Sequence, residues 1–194
     1  MGHQYAAIAF TDRVKQQQTV HNSRSGYQSM ETGEDYNGLF SQEEADFIHA
    51  RDSFYMASVS ETDWPYVQHR GGPAGFLKVL DAKTLGFADY SGNRQYISTG
   101  NFKTNDRVSL FLMDYPNRRR LKILGRIEQL DDADLEAQAA LEDPHYRARI
   151  ERCFIIKLVA RLSATDLICK WPTTRHNNDG MMLRELSQGF KPED

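Results

Sequence analysis

From Ser53 onward the chain alternates between short runs of strand formers and clusters of Gly, Pro, Asn and Asp, the pattern of β-strands joined by turns. Phe54–Ser60 is the first such run; Glu61-Thr62-Asp63 ahead of Trp64-Pro65 reads as a turn, and Tyr66–Arg70 as the returning strand. Past the glycine-rich Gly71–Gly75, the segments Phe76–Leu80 and Leu85–Ala88 flank a turn at Asp81–Thr84 and predict a second hairpin. Arg107–Asp114 has the length and apolarity of a buried strand, whereas Leu121–Glu128 alternates apolar with polar and should be half buried. Cys153–Leu162 is a final strand.

Helical signals are peripheral. Ser41-Gln42-Glu43-Glu44 has capping-box spacing, and Ala45, Phe47, Ile48 and Ala50 give a short apolar face behind it, which predicts a helix over 42–51. Residues 131–152 read as helical in two pieces broken at Asp143-Pro144. Residues 1–40 are polar and turn-rich, with scattered aromatics at Tyr5, Phe10, Tyr27 and Tyr36, and predict an N-terminal arm that packs on a body or a partner subunit. Strands at short spacing with helices only at the margins predict a mainly β fold, an antiparallel barrel or sandwich rather than alternating βα units.

Length and composition narrow this picture. At 194 residues, with 40% hydrophobic, 11% aromatic and 26% charged positions, the chain is suited to one globular domain. A formal net charge of -3 gives no global reason to bind nucleic acid or an anionic membrane, so any anion site must be local. The longest apolar runs, Leu110–Met113 and Cys153–Ile156, fall far short of the roughly 20 residues that span a bilayer. The opening MGHQYAAIAFTDR lacks the pattern of a secretory signal, and Cys153 and Cys169 make neither a disulfide framework nor a zinc cluster; both observations predict a cytoplasmic protein with reduced thiols.

Three segments carry candidate chemistry. Gly92–Asn101, "GNRQYISTGN", reads equally as a turn and as an anion cradle, since Arg94 can grip a phosphate bidentately while Ser98 and Thr99 add neutral donors. Its spacing matches neither the P-loop nor the dinucleotide glycine pattern. Gln68–Phe76, "QHRGGPAGF", places His69 and Arg70 beside glycines that let a flat ligand or another backbone come close, though a barrel corner needs glycine as well. Arg118-Arg119-Arg120 reads first as a solvated loop, then as a ligand contact, and last as a nucleic-acid contact, which the acidic balance and the lack of interleaved aromatics weaken. The sequence contains no HExxH, GxSxG or CxxC, so hydrolase and metal-site readings have no support.

Asp52–Asp81, Gly92–Asn101 and Arg107–Gly125 occur in the order and form of three long motifs, and on them the chain resembles the pyridoxamine 5'-phosphate oxidase-like superfamily of FMN-binding split barrels. Within it, the chain is similar to a branch of flavin-nucleotide-binding proteins. The resemblance implies a six-stranded antiparallel split β-barrel at residues 41–165 and a homodimer with FMN at the interface. It leaves 1–40 as the arm and 166–194 as a divergent tail. Pro73–Lys78 would be the strand along the flavin, contributing Phe76, Leu77 and Lys78; Pro73 stands where the superfamily has arginine, which passes that contact to His69 or Arg70. Asn93, Arg94, Gln95, Tyr96, Ser98 and Asn101 would form the phosphate loop, and Arg120 takes the place of a glutamine that reaches the flavin. The residues that grip pyridoxal phosphate in the oxidase have no counterpart. The implied function is an FMN-dependent oxidoreductase of unknown substrate, the alternative being a flavin-binding or flavin-storing module without catalysis, and a third option a barrel that binds haem or another cofactor instead of FMN.

Overall fold

The computed structural model describes residues 3–35, 37–130 and 134–163. Seven strands form one antiparallel sheet: β1 (Ser53–Val59), β2 (Pro65–Gly71), β3 (Leu77–Asp81), β4 (Thr84–Tyr90), β5 (Arg107–Asp114), β6 (Arg119–Gln129) and β7 (Ile150–Ser163). They lie in the order β2-β1-β5-β6-β7-β4-β3. Every run read as a strand forms one, so the count exceeds by one the six strands that the resemblance implies. β3, only five residues long, pairs with β4 and forms one edge of the sheet.

The long strand β7 organises the sheet. It pairs with β6 from Leu121↔Ser163 to Gln129↔Phe154 and with β4 from Thr84↔Lys157 to Tyr90↔Ile150. A strand with neighbours on both sides buries its apolar run, as Cys153, Phe154, Ile155 and Ile156 do here. The core continues through Phe54, Met56, Leu85, Phe87, Leu110, Leu112 and Ile123. At its centre the Phe54 ring stacks on Phe76 and meets Phe87 edge to face, both at 5.5 Å between centroids.

Helix α4 (Gln42–His49) starts at the capping box read from sequence: the Ser41 N–H donates to Glu44 Oε2 at 3.0 Å. It drives Phe47 and Ile48 into the core. Glu44 also lies 2.7 Å from Arg161 Nη1, and Arg161 Nε donates to the Leu39 carbonyl at 2.7 Å, which ties the end of β7 to the segment before α4.

Residues 3–33 are helical where the sequence reads as turn-rich: α1 (Gln4–Ala9), α2 (Asp12–Val20) and α3 (Arg24–Thr32). Helix α2 buries none of its residues, so it has no apolar stripe to announce it; the Thr11 hydroxyl caps it by accepting from the Val14 N–H at 3.4 Å. Helix α1 packs against β7 through the fully buried Ala6. Between residues 134 and 150 only α6 (Leu135–Leu141) is helical. Asp134 caps it, and beyond Pro144 the chain takes a turn in which Asp143 accepts from the His145 N–H at 2.8 Å, so the second helical piece does not form. The region 166–194 lies outside the described residues. Among the described residues, no helix is long and apolar enough to cross a membrane.

Two glycines mark close approaches. A Cβ on Gly86 would meet the ends of Leu141, Leu80 and Ile155, all of which can shift, whereas one on Gly125 would lie 2.5 Å from Ile156 Cγ2 and 3.0 Å from the Lys157 carbonyl oxygen. Backbone cannot yield as a methyl can. Gly125→Ala is expected to cost about 2 kcal/mol, within the range for overpacking, and Gly86→Ala less; urea denaturation of both variants checks the order.

Candidate functional site

Arg70 on β2 and Asp89 on β4 form an ion pair in which Arg70 Nη1 donates to Asp89 Oδ1. Those strands hold the first and sixth positions in the sheet, about 24 Å apart if it were flat, at ~4.8 Å per neighbour. The sheet is therefore tightly coiled, and its inner side at β2, β4 and β7 meets the loop that follows β4. A cavity of about 350 Å³ opens there, lined among others by Gln68, Arg70, Phe87, Asp89, Tyr90, Tyr146, Glu151 and Arg152.

Asp89 is shared. It lies directly opposite Arg152 in the β4–β7 ladder, and Arg152 Nε stands 3.2 Å from Asp89 Oδ2, an ion-pair contact whose angle does not make it a hydrogen bond. Arg70, 7% exposed, donates from Nη2 to Ser98 Oγ at 3.1 Å, and Ser98 in turn donates to Gln68 Oε1 at 2.5 Å. Its guanidinium lies over the Phe87 ring at 5.1 Å. Desolvation pulls Arg70 below the ordinary arginine range, and Asp89 opposes that shift through charge and hydrogen bonding.

Nearer the mouth, Arg152 donates from Nη1 to Thr99 Oγ1 at 3.3 Å, pairs with Glu151 and sits over the Tyr96 ring at 4.7 Å. Glu151 also accepts from Ser91 Oγ at 3.1 Å and lies 3.8 Å from Arg94 Nε. Desolvation raises the Glu151 carboxyl but is outweighed by hydrogen bonds from Ser91 and Tyr96 and by the charges of Arg152 and Arg94, so it titrates below the usual glutamate range. Arg94 is 70% exposed and donates to Tyr96 Oη at 3.0 Å. Both Arg94 and Tyr96 have left-handed backbone, φ 61° and 54°, which is uncommon for bulky residues.

Three guanidiniums, Arg70, Arg94 and Arg152, thus face two carboxylates, Asp89 and Glu151, an excess of one positive charge. Arg70 Nε and Tyr90 Oη are buried without a hydrogen-bond partner, and burial raises the Tyr90 phenol above its ordinary value. Buried donors without partners are rare in folded proteins, and here they belong to residues lining one cavity. The arrangement suits an anionic ligand that also accepts hydrogen bonds.

The structure brings His69, Arg70, Phe76, Asn93, Arg94, Tyr96 and Ser98 together around this cavity. Other residues singled out in the sequence lie elsewhere. Leu77 is buried in the core opposite Phe87, and Lys78 Nζ donates to the carbonyls of Ala140 at 2.9 Å and Glu142 at 2.8 Å, at the end of α6. Gln95 turns its N–H to Asn93 Oδ1 at 3.2 Å, and Asn101, buried, donates to Ser58 Oγ at 2.9 Å, fastening α5 (Ile97–Asn101) to β1. Arg120 lies on β6 opposite Met113. Sequence reasoning missed Asp89, Glu151 and Arg152. Asp89 falls just past the run read as Leu85–Ala88, and Glu151 and Arg152 fall in the stretch read as helical, whereas the structure places them in β4 and at the start of β7.

A family model for pyridoxamine 5'-phosphate oxidase matches residues 40–168. No curated protein matches the chain in sequence. Among solved structures, HupZ of Group A Streptococcus superposes with a TM-score of 0.51 at 17% identity, covering 64% of this chain and 93% of that one. An FMN-binding protein from Syntrophomonas wolfei gives 0.45 at 14% identity, covering 62% and 84%, and General Stress Protein 26 from Bacillus anthracis 0.44 at 16%, covering 63% and 92%. At such identities the likeness to HupZ is one of fold.

Removing the shared carboxylate leaves two desolvated guanidiniums side by side. Asp89→Asn is expected to destabilise the fold by about 3 kcal/mol, whereas Asp106→Asn, which breaks the exposed 2.6 Å pair with Arg126, should cost less than about 1 kcal/mol; chemical denaturation of each variant measures both.

Proposed function

This chain belongs to the pyridoxamine 5'-phosphate oxidase family, and from that premise we propose that the cavity holds FMN and that the protein is an FMN-dependent oxidoreductase. The observation that carries the reading is the cluster of Arg70, Arg152, Asp89 and Glu151 with its unpartnered buried donors, to which the exposed Arg94 at the mouth adds one excess positive charge. A phosphate monoester is the anion such a set suits best, because charge-assisted bonds from Arg94 and Arg152 and neutral donors at Ser91 and Thr99 can share its oxygens. Phe76, Tyr90 and Tyr146 give the remaining wall an aromatic surface of the kind a planar ring packs on.

When bound, FMN supplies hydride or electron transfer at its ring. This chain's part is to hold and polarise it. Arg70, fixed by Asp89, Ser98 and the Phe87 ring, provides a positive potential that does not reorganise, which favours negative charge beside it. His69 borders the same cavity, but its ring lies on the outer face of β2 beside Tyr55, 5.3 Å between centroids.

The coiled sheet is read as a split barrel, and a homodimer is part of the same proposal. Tyr55, Phe111 and Lys122 lie in register across β1, β5 and β6, with Arg120 next along β6, on the face turned away from the core. That face continues to the edge strand β2 with Val67 60% exposed, and Trp64 just before it is 76% exposed. A second copy covering this surface would bury apolar area and carry Arg120 toward the neighbouring site.

The size of the cavity favours the alternative of a flavin-binding module without a dedicated substrate. About 350 Å³ is at the low end of the ~300–1,000 Å³ usual for small-molecule sites and leaves little room beside a cofactor. Reduction of the FMN-loaded protein by NADH or NADPH, followed by reoxidation by oxygen or a quinone, would establish the enzyme; a flavin that binds and does not turn over would establish the module.

FMN is expected to bind with a stoichiometry of one per chain. Arg94→Ala should weaken it about tenfold through loss of a charge-assisted contact and leave riboflavin, which lacks the phosphate, unchanged; fluorescence titration of both flavins tests the assignment.

A further inference from the structure

The donors at the mouth of the cavity converge on a residue of the chain itself. Ser91 Oγ donates to Glu151 at 3.1 Å, Arg152 Nη2 pairs with it, Arg94 Nε stands 3.8 Å away, and Tyr96 contributes a hydrogen bond. They come from the end of β4, from β7 and from the Gly92–Asn101 loop, so no single element imposes the convergence. Two guanidiniums and two hydroxyls around one carboxylate are the same chemistry that would receive a phosphoryl group.

Arg152 does not depend on Glu151 for a counter-ion, because Asp89 already lies 3.2 Å from its Nε. The charges sharpen the point. With Glu151 in place, Arg70, Arg94 and Arg152 face two carboxylates and the excess is one positive charge; with Glu151 swung aside, Asp89 alone opposes them and the excess is two. Two is close to the charge of a phosphate monoester at neutral pH, whose second pKa is about 6. Glu151 is 15% exposed beside an arginine that is 70% exposed, so its carboxylate has a short way to water.

We propose that Glu151 is a built-in competitor for the anionic group of the ligand: its carboxylate takes the donors of the anion subsite, and a phosphoryl group binds by displacing it. The proposal rests on the anion subsite described above, and it makes Glu151 a determinant of affinity that acts through Arg94 and Arg152. A neutral ligand in the same cavity gains nothing from that displacement.

The test compares wild type, Glu151→Gln and Glu151→Asp, titrated with inorganic phosphate, FMN and riboflavin at constant ionic strength, so that screening is the same throughout. Glu151→Gln, which keeps the shape and loses the charge, should bind inorganic phosphate and FMN about tenfold more tightly, with riboflavin unchanged. Glu151→Asp, whose shorter carboxylate reaches fewer of the donors, should fall between it and wild type, and carries the test if the glutamine variant does not fold. Equal or weaker phosphate binding in these variants would overturn the proposal, as would a gain for riboflavin as large as that for FMN. Tighter phosphate binding with no FMN binding in any variant would remove the FMN reading and leave the competitor standing. Equal FMN and phosphate affinity across the series would do the reverse.

Discussion

Asp89 holds two guanidiniums that would otherwise repel each other in a desolvated place, and the site depends on that arrangement. Arg70 arrives from the edge strand β2 and Arg152 from the long strand β7, so a single carboxylate fastens parts of the sheet that sequence and strand order keep far apart. Buried ion pairs seldom add net stability, because removing the charges from water costs about as much as their attraction returns. The triad is better understood as a device of position. It fixes where positive charge stands, and it leaves Arg70 Nε and Arg152 Nε without hydrogen bonds in the wall of a cavity.

The aromatic core makes that positioning rigid. Arg70 sits over Phe87 and, at 5.9 Å, near Phe154, and both rings belong to the packed centre that includes Phe54 and Phe76. Moving the guanidinium would disturb rings that fill the interior at crystal-like density, so its charge is fixed before a ligand arrives. The mouth is built differently. Arg94 and Tyr96 hang on a loop with left-handed backbone; beyond each other they meet Glu151 and, at the Tyr96 ring, Arg152, all outside the packed core, so they can exchange partners at little cost to it. The cavity thus has a fixed inner charge and an exchangeable outer one.

Those two halves were not equally legible in the sequence. Strand formers between turn residues located all seven strands, because in a coiled antiparallel sheet the burial pattern and the local propensity agree. Gly92, Asn93, Ser98 and Thr99 drew notice to the outer loop, since residues of that kind cluster where backbone conformation and polar contacts are special. Asp89, Glu151 and Arg152 gave no such warning: Asp89 follows the apolar run of β4, Glu151 and Arg152 precede the apolar run of β7 in a charged stretch that reads as helix, and what makes them a site is a register, Asp89 opposite Arg152, that only pairing reveals. Helix α2 stayed hidden for the opposite reason, as it buries nothing and leaves no periodic trace.

The place of Lys78 and Pro73 bears on how the site carries its charge. The resemblance puts cations on the strand along the flavin, yet here one of those positions is proline, and the Lys78 ammonium is engaged with two carbonyls at the end of α6. Those bonds hold α6 near the start of the segment that brings Tyr146 edge to face with Tyr90, 4.8 Å between centroids, so Lys78 bears on the cavity through its wall. The cations that line the cavity come instead from β2, β7 and the outer loop. An anion site needs its charge at a point in space, and which strand supplies it is open to change so long as a carboxylate such as Asp89 keeps neighbouring guanidiniums from driving each other apart.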